Sequence, residues 1–357
     1  MTESPSQQPP RRKTPFEAWA ESEGLALIGG YAVEDLATVP LSHWSRLGCP
    51  AAYLNLIGGT GYVGALVGEI PPGRQTEPLR HLYEEQILIL GGQGVSQIWA
   101  GERVGQGTLT IEWHRGSLFS PPLNTWHQMY NVSSSEPVRF VATNNAPMLM
   151  NIFRNGDFVF SAPYDFIERF DGRPDYFDTQ FRASQEEDTA VNFIPDVYAV
   201  PLTSHEERGR GYSRLGINLS ANAMAGHIGS FEVGTYKKAH RHQGGAQVII
   251  LEGEGFSLLW PPSGELTRID WRAGSLVIPP EGWYHNHFNL GTAPARVLAL
   301  RRGFRGLGRT WSPSVSTREG GHQLEYADEP PAIRSMFEAE LAKRGIPLNM
   351  PPIPRAS

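Results

Sequence analysis

Apolar residues along this chain fall into short runs rather than at helical spacing. Gly64–Ile70, Gln86–Leu90, Gly226–Phe231, Gln247–Leu251 and Arg296–Leu300 are each bounded by Gly/Pro turns. Short strands at this spacing predict a sandwich or barrel. Three segments break the pattern. Pro15–Glu23 and Val33–Leu47 allow short helices, and Ala332–Arg344 makes a better one, stopped by Gly345 and Pro347. The prolines of Pro347–Pro354 mark an arm suited to packing on a partner subunit.

The chain repeats itself. Gly116-Ser-Leu-Phe-Ser-Pro-Pro122-Leu-Asn124-Thr-Trp-His127-Gln-Met-Tyr-Asn131 recurs as Gly274-Ser-Leu-Val-Ile-Pro-Pro280-Glu-Gly282-Trp-Tyr-His285-Asn-His-Phe-Asn289 at an offset of 158 (127 to 285). Upstream, Gly73 to Gly92 aligns with Gly234 to Gly253 at 161 (73 to 234), and the loop between the motifs absorbs the difference. Two homologous halves follow. The expected division is a flexible tail at 1–15, a helical or irregular segment at 16–49, a first domain at 50–160, an interdomain segment at 161–211, a second domain at 212–305 and an extension with a helix and Pro-rich tail at 306–357.

Composition removes several functions. Among 357 residues, 31 basic and 37 acidic side chains give a net charge of −6, and no Lys/Arg block stands out, so nucleic acid is not an expected partner. Runs such as Ile87–Leu90 and Val248–Leu251 are far below the roughly 20 residues that cross a bilayer. No membrane partner is expected. The polar, Pro-rich start carries no signal-like apolar stretch, and Cys49 is the only cysteine, which together point to a cytoplasmic chain without an intrachain disulfide.

The chemistry lies in histidines. Six of the eleven, His81, His127, His240, His242, His285 and His287, sit inside the repeated motifs. In an extended segment, residues two apart share a face, so His240 and His242 project together, as do His285 and His287. Such a cluster inside a barrel makes a metal pocket. His43, His114, His205, His227 and His322, each outside the motifs, read as ordinary surface or core residues.

Both halves resemble cupin domains, and the chain resembles a bicupin. The family's first motif, G(X)5HXH(X)3–4E(X)6G, is met by Gly234, His240, His242 and Gly253, with Ala246 in place of the glutamate. The second, G(X)5PXG(X)2H(X)3N, is met by Gly274, Pro280, Gly282, His285 and Asn289. The resemblance implies an all-β fold of two tandem jelly-roll barrels with short flanking helices. Loss of the glutamate is similar to gentisate and salicylate 1,2-dioxygenases, which implies Fe(II) held by His240, His242 and His285. Mn(II), Ni(II), Zn(II) and Cu(II) also suit such a set. The implied partners are O2 and a small aromatic or chelating substrate, the implied assembly a homo-oligomer. Three imidazoles leave an octahedral ion three open positions, enough for a bidentate substrate and O2. His287, about 6–7 Å along the strand from His285, is then a catalytic candidate that acts on substrate or moves a proton, its rival role being a structural core histidine.

The first half departs from the pattern. Leu79 replaces the first histidine, while His81, Glu85 and His127 remain. They make either a two-histidine, one-carboxylate metal site or a decayed site whose residues bond one another. Asn124 replaces the motif glycine, and Asn tolerates left-handed backbone. Glu84 is expected on the opposite face, in solvent, and Arg241 outward. Trp99, Trp113, Trp126, Trp260, Trp271, Trp283 and Tyr284 either line a pocket or fill the barrels, and Gly101–Gly107 reads as a hairpin turn. Beside the dioxygenase stand a metal-dependent isomerase or decarboxylase and a non-catalytic binding protein.

Overall fold

In a computed structural model that describes residues 12–59, 61–102, 105, 107–178, 189–243, 245–302 and 313–353, the two repeats form two tandem cupin barrels. The first has a large sheet ordered Leu27–Ile28, Cys49–Leu54, Gly64–Ile70, Val138–Asn144, Glu85–Gly91, Leu118–Phe119, Phe193–Ile194. Facing it is a small sheet of Trp126–Asn131, Gln93–Trp99 and Leu109–His114. The second repeats the plan with Thr189–Val191, Tyr212–Leu219, Ala225–Phe231, Ala295–Arg301, Gln247–Glu252, Leu276–Val277 and Ala32–Val33, opposed by Thr267–Arg272, Glu254–Trp260 and Tyr284–Asn289.

Each large sheet therefore ends on a strand borrowed from the other half. Phe193–Ile194 runs antiparallel to Leu118–Phe119 in the first barrel, and Ala32–Val33 to Leu276–Val277 in the second. The exchange is fastened by matching bonds. Ser117 Oγ donates to the Pro195 carbonyl at 2.8 Å and Ser275 Oγ to that of Glu34 at 2.6 Å. Arg139 donates to the Val39 carbonyl at 2.7 Å and Arg296 to that of Val200 at 2.6 Å.

Alternation along the strands assigns the faces. In Gln247–Glu252, Val248 and Ile250 fill the second lumen, while Ile249 and Leu251 join Leu54, Val67, Leu88 and Val141 of the first barrel in a shared core. The large sheets are buried on both faces, which is why their strands read as unbroken apolar runs.

One expectation needs correction. Residues 33–47 form no helix: Pro40 interrupts them, Asp35 accepts the Ala37 N–H in a turn, and the segment is drawn into strands Ala32–Val33 and Ser42–Trp44. Helices Ala146–Phe153 and Gly156–Ser161 come from apolar sequence whose period is too short to separate helix from strand. With Pro15–Ser22, whose N-terminus is closed by a Thr14/Glu17 capping box, they cover one end of the first barrel. Helix Pro331–Arg344 lays Ile333, Phe337 and Leu341 on Phe256, Leu258 and Phe288, on the outside of the second small sheet. The arm beyond it packs on its own chain: Asn349 N–H donates to the Gly234 carbonyl at 2.9 Å. Gly234 has φ +69°, and a Cβ there would lie 2.2 Å from the Pro347 carbonyl. Of the expected hairpin turn, Arg103, Val104 and Gln106 lie outside the described residues; the strands it joins are antiparallel neighbours. No helix among the described residues is long and apolar enough to cross a membrane.

Candidate metal centre

In the second barrel, backbone pairing sets the side chains. His240 N–H donates to the His285 carbonyl at 3.1 Å and His285 N–H to that of His240 at 2.9 Å. The two imidazoles lie 4.4 Å apart, and His242 stands 4.8 Å from His285. One nitrogen from each ring falls within 4.8 Å of the others. Each Nδ1 faces a carbonyl: His240 that of Lys238 at 3.1 Å, His242 that of Gln243 at 3.3 Å, His285 that of Trp283 at 3.2 Å. A proton on Nδ1 satisfies those contacts and leaves the Nε2 lone pairs to face an ion, that of His240 also within reach of Lys237 Nζ at 3.4 Å.

The rings are also neutral. Burial first, then Lys237 for His240 and His285 for His242, hold both well below the usual histidine range, and burial brings His285 down to about 3. Metal binding therefore has no proton to displace here at neutral pH. Three neutral, buried imidazoles with fixed tautomers fit a divalent transition metal. The segment carrying His240 and His242 is held from behind by the C-terminal extension: Glu329 Oε1 accepts the Ala239 N–H at 2.8 Å, and Leu324 N–H donates to the Ala239 carbonyl at 2.8 Å.

Basic groups gather in the same lumen, where burial, reinforced by Arg208, Arg214 and Arg301, holds Lys237 well below the usual lysine range. Lys237 Nζ lies 3.4 Å from His240 Nε2 and 4.8 Å from the Tyr212 ring. Strand register makes Gly216, His227, Ala299 and Val248 one lumen-facing row, with Arg214 and Arg301 on the same face of neighbouring rows. His287 Nδ1 is 2.7 Å from Ser257 Oγ, which accepts from Trp271 Nε1 at 3.0 Å. Its ring is 5.8 Å from that of His285. In the first barrel Trp113 bonds Ser96 likewise at 2.8 Å, but Met129 occupies the position of His287.

The first barrel assembles a different set. Glu85 Oε1 is 3.1 Å from both His81 Nε2 and His127 Nε2. Burial alone would raise the Glu85 carboxyl, but the two imidazoles outweigh it and hold it well below the usual carboxylate range. His81 Nδ1 donates to the Tyr83 carbonyl at 2.8 Å and its ring stacks on Tyr83 at 3.5 Å. His127 Nδ1 is buried without a hydrogen-bond partner. Leu79 pairs its backbone with His127 as His240 does with His285, so only the third imidazole is missing. Around these groups the lumen is filled: Tyr53 OH donates to Asn144 Oδ1 at 2.5 Å, and Phe16, Met150, Val159 and Phe160 from the covering helices belong to the same core.

Other expectations divide. Asn124 adopts φ 58°, and Arg241 lies over the Tyr284 ring at 5.0 Å, on the outer face. Glu84 is not solvated. It faces away from Glu85 and is buried because its oxygens accept the Ala223 and Met224 N–H groups at 2.9 Å each and pair with Arg169, so it ties the barrels together. His227 lies in the second lumen among the cations. Trp260 and Tyr284 stack at 5.8 Å near the C-terminal helix, outside the barrel, whereas Trp113 and Trp271 belong to the two lumen cores. Motif reading passed over Lys237, Arg214 and Arg301; setting the repeats side by side, Lys237 against Thr76, would have exposed the first.

No protein-family profile and no curated protein matches the chain. Solved structures do. Oxalate decarboxylase from Bacillus subtilis at pH 4.6 superposes with a TM-score of 0.51 at 14% identity, over 77% of each chain. A variant of that enzyme with one tryptophan changed to tyrosine gives 0.52 at 12% over 84% of this chain and 86% of that one. A Bacillus subtilis oxalate decarboxylase studied for its Mn(II) centres gives 0.50 at 14% over the same shares, 84% and 86%. At such identity the likeness speaks for fold. It places this chain in the bicupin architecture and does not extend to the dioxygenases that the motifs resemble.

Proposed function

We propose that this protein is a metal-dependent enzyme whose reaction centre is the second barrel, and that it is an Fe(II) dioxygenase acting on a small chelating or aromatic oxygenated substrate. The observation that carries this reading is the convergence of three neutral imidazoles, every Nδ1 facing a carbonyl. Held there, a divalent ion supplies Lewis acidity and, as Fe(II), electrons to O2. The chain's own part is to position and protonate. Ser257, fixed by Trp271, orients His287 so that one ring nitrogen remains for a substrate atom beside the triad. Barrel walls around buried His240, His285 and His287 restrict water. The first barrel, filled and covered, serves as scaffold.

The fold shared with Mn(II)-containing oxalate decarboxylase favours a second reading, a non-oxidative decarboxylase or isomerase in the same barrel. Elemental analysis of protein purified without added metal, followed by O2 uptake and CO2 release across oxygenated acids and phenols, tests both. O2 uptake with iron bound supports the dioxygenase; CO2 release without O2 uptake supports the rival; bound metal with no turnover of any kind supports a binding protein.

A further inference from the structure

Half of the large apolar side chains that stand exposed among the described residues fall in one stretch: Ile152, Phe153, Phe158, Tyr164 and Ile167, each 43–72% exposed. The stretch includes the helical cover of the first barrel. Asn151 is the only polar residue of helix Ala146–Phe153, and it is spent inward, accepting the Phe16 N–H at 3.0 Å and donating to the Gly61 carbonyl at 3.3 Å. Ala146 and Met150 join the first core, while Ile152 and Phe153 stand in water. A helix that is apolar on every side belongs in a core, and this one has a core on one side only. The Phe153 and Phe158 rings meet edge to face at 5.0 Å, so they form a single ridge where this helix meets Gly156–Ser161.

The size of the surface selects what covers it. At about 200 Å² for a large side chain, those exposures leave roughly 500 Å² of apolar area in water. A monomer ordinarily carries no patch above about 300–600 Å². Two copies laid face to face remove about 1,000 Å², the size that a specific interface has to reach.

Charge points the same way. Arg154 stands beside Phe153 and Asp157 beside Phe158, both exposed. Asp157 acts on Arg46, but that guanidinium is taken by Glu23 at 2.6 and 2.9 Å. A cation and an anion beside one apolar ridge are self-complementary about a two-fold axis, where each meets its opposite on the other copy. An anionic lipid surface suits the stretch poorly, because exposed Asp157, Asp165 and Glu168 outnumber Arg154.

We propose that this surface is the two-fold interface of a homodimer. The helical cover of one copy packs on that of the other, with Phe153 and Phe158 at the centre and Arg154 facing the partner's Asp157. The interface closes the covered end of the first barrel and is independent of the metal reading.

Sedimentation velocity of the full chain over a dilution series tests it. The expected result is a dimer whose association is weakened by about a hundredfold or more in the Phe153→Glu, Phe158→Glu chain, with its circular dichroism unchanged. Arg154→Asp should weaken the dimer by about fivefold, and adding Asp157→Arg should restore it. If the doubly charged chain loses its native circular dichroism, the charge swap decides, and a dimer indifferent to Arg154→Asp overturns the proposal. A monomer at every concentration overturns it, as does an oligomer that ignores both sets of changes. A monomer that binds phosphatidylcholine vesicles, and loses that binding with Phe153→Glu and Phe158→Glu, overturns it in favour of a lipid surface.

Discussion

The two barrels share one strand plan and have been filled in opposite ways. Across one row of the large sheet the first places Tyr53, Leu66, Ala142 and Ile87 in its lumen, and the second Gly216, His227, Ala299 and Val248. A tyrosine has given way to glycine and a leucine to histidine. Beside the ligands, Glu85 and Asn144 face Ala246 and Arg301 as their counterparts, and Met129 faces His287. The first lumen is packed and pairs its carboxylate with two imidazoles; the second is lined by histidines and basic side chains. One repeated scaffold thus carries two candidate metal-ligand groups of unlike charge.

The sharpest way to break this contrast is to make the barrels alike at His287. His287→Met copies the first barrel at that position. If His287 holds or moves a proton, turnover should fall by roughly 10²–10⁴ with metal content unchanged. Loss of metal in step with activity would make it a ligand, and unchanged turnover would make it core.

A second contrast is in pH response. Burial pushes the Glu329 carboxyl, in the extension that holds the segment of His240 and His242, up to about 7, against the pull of the Ala239 N–H and Tyr236 OH. Its folded form prefers the proton, so its stabilising contribution is complete below the unfolded carboxyl range near pH 4.5 and is lost as pH rises through 7. Glu85 in the first barrel is shifted the other way: its contribution is present above about pH 4.5 and lost in acid. Glu329→Gln should remove a decline in unfolding free energy of about 3 kcal/mol between pH 5 and 8, read by denaturant titration. A wild-type profile flat across that window would contradict the assignment.

A third change moves the first barrel toward the second. Leu79 is buried and its backbone already makes the His240-type pairing with the facing histidine. Leu79→His should therefore tighten divalent metal binding at His81, Glu85 and His127 by about tenfold, near 1.4 kcal/mol, in a chain whose second site is removed by His285→Ala. No gain in affinity would mean that the packed lumen, and not the missing imidazole, limits that site.

Much of this was readable before any fold was seen. The apolar runs and the repeat define two barrels because register and facing follow from a period of two. The grouping of the motif histidines was legible because imidazoles two apart in an extended segment must share a face. What escaped the sequence depends on contacts between halves. The exchanged strands Ala32–Val33 and Phe193–Ile194 are two residues long and carry no periodicity, so Val33–Leu47 passed for a helix. Glu84 looked solvated because its partners, the N–H groups of Ala223 and Met224, are distant in the chain. Lys237 fills an unspecified position of the first motif and Arg301 lies beyond the second, and only the structure shows what they face.

The central claim is that catalysis belongs to His240, His242 and His285. It is tested most directly by measuring metal atoms per chain and turnover in His285→Ala and His127→Ala side by side. The account predicts that His285→Ala loses the second barrel's metal and all activity while remaining folded, and that His127→Ala keeps both. Activity that survives His285→Ala and disappears with His127→Ala would place the reaction in the first barrel and contradict it.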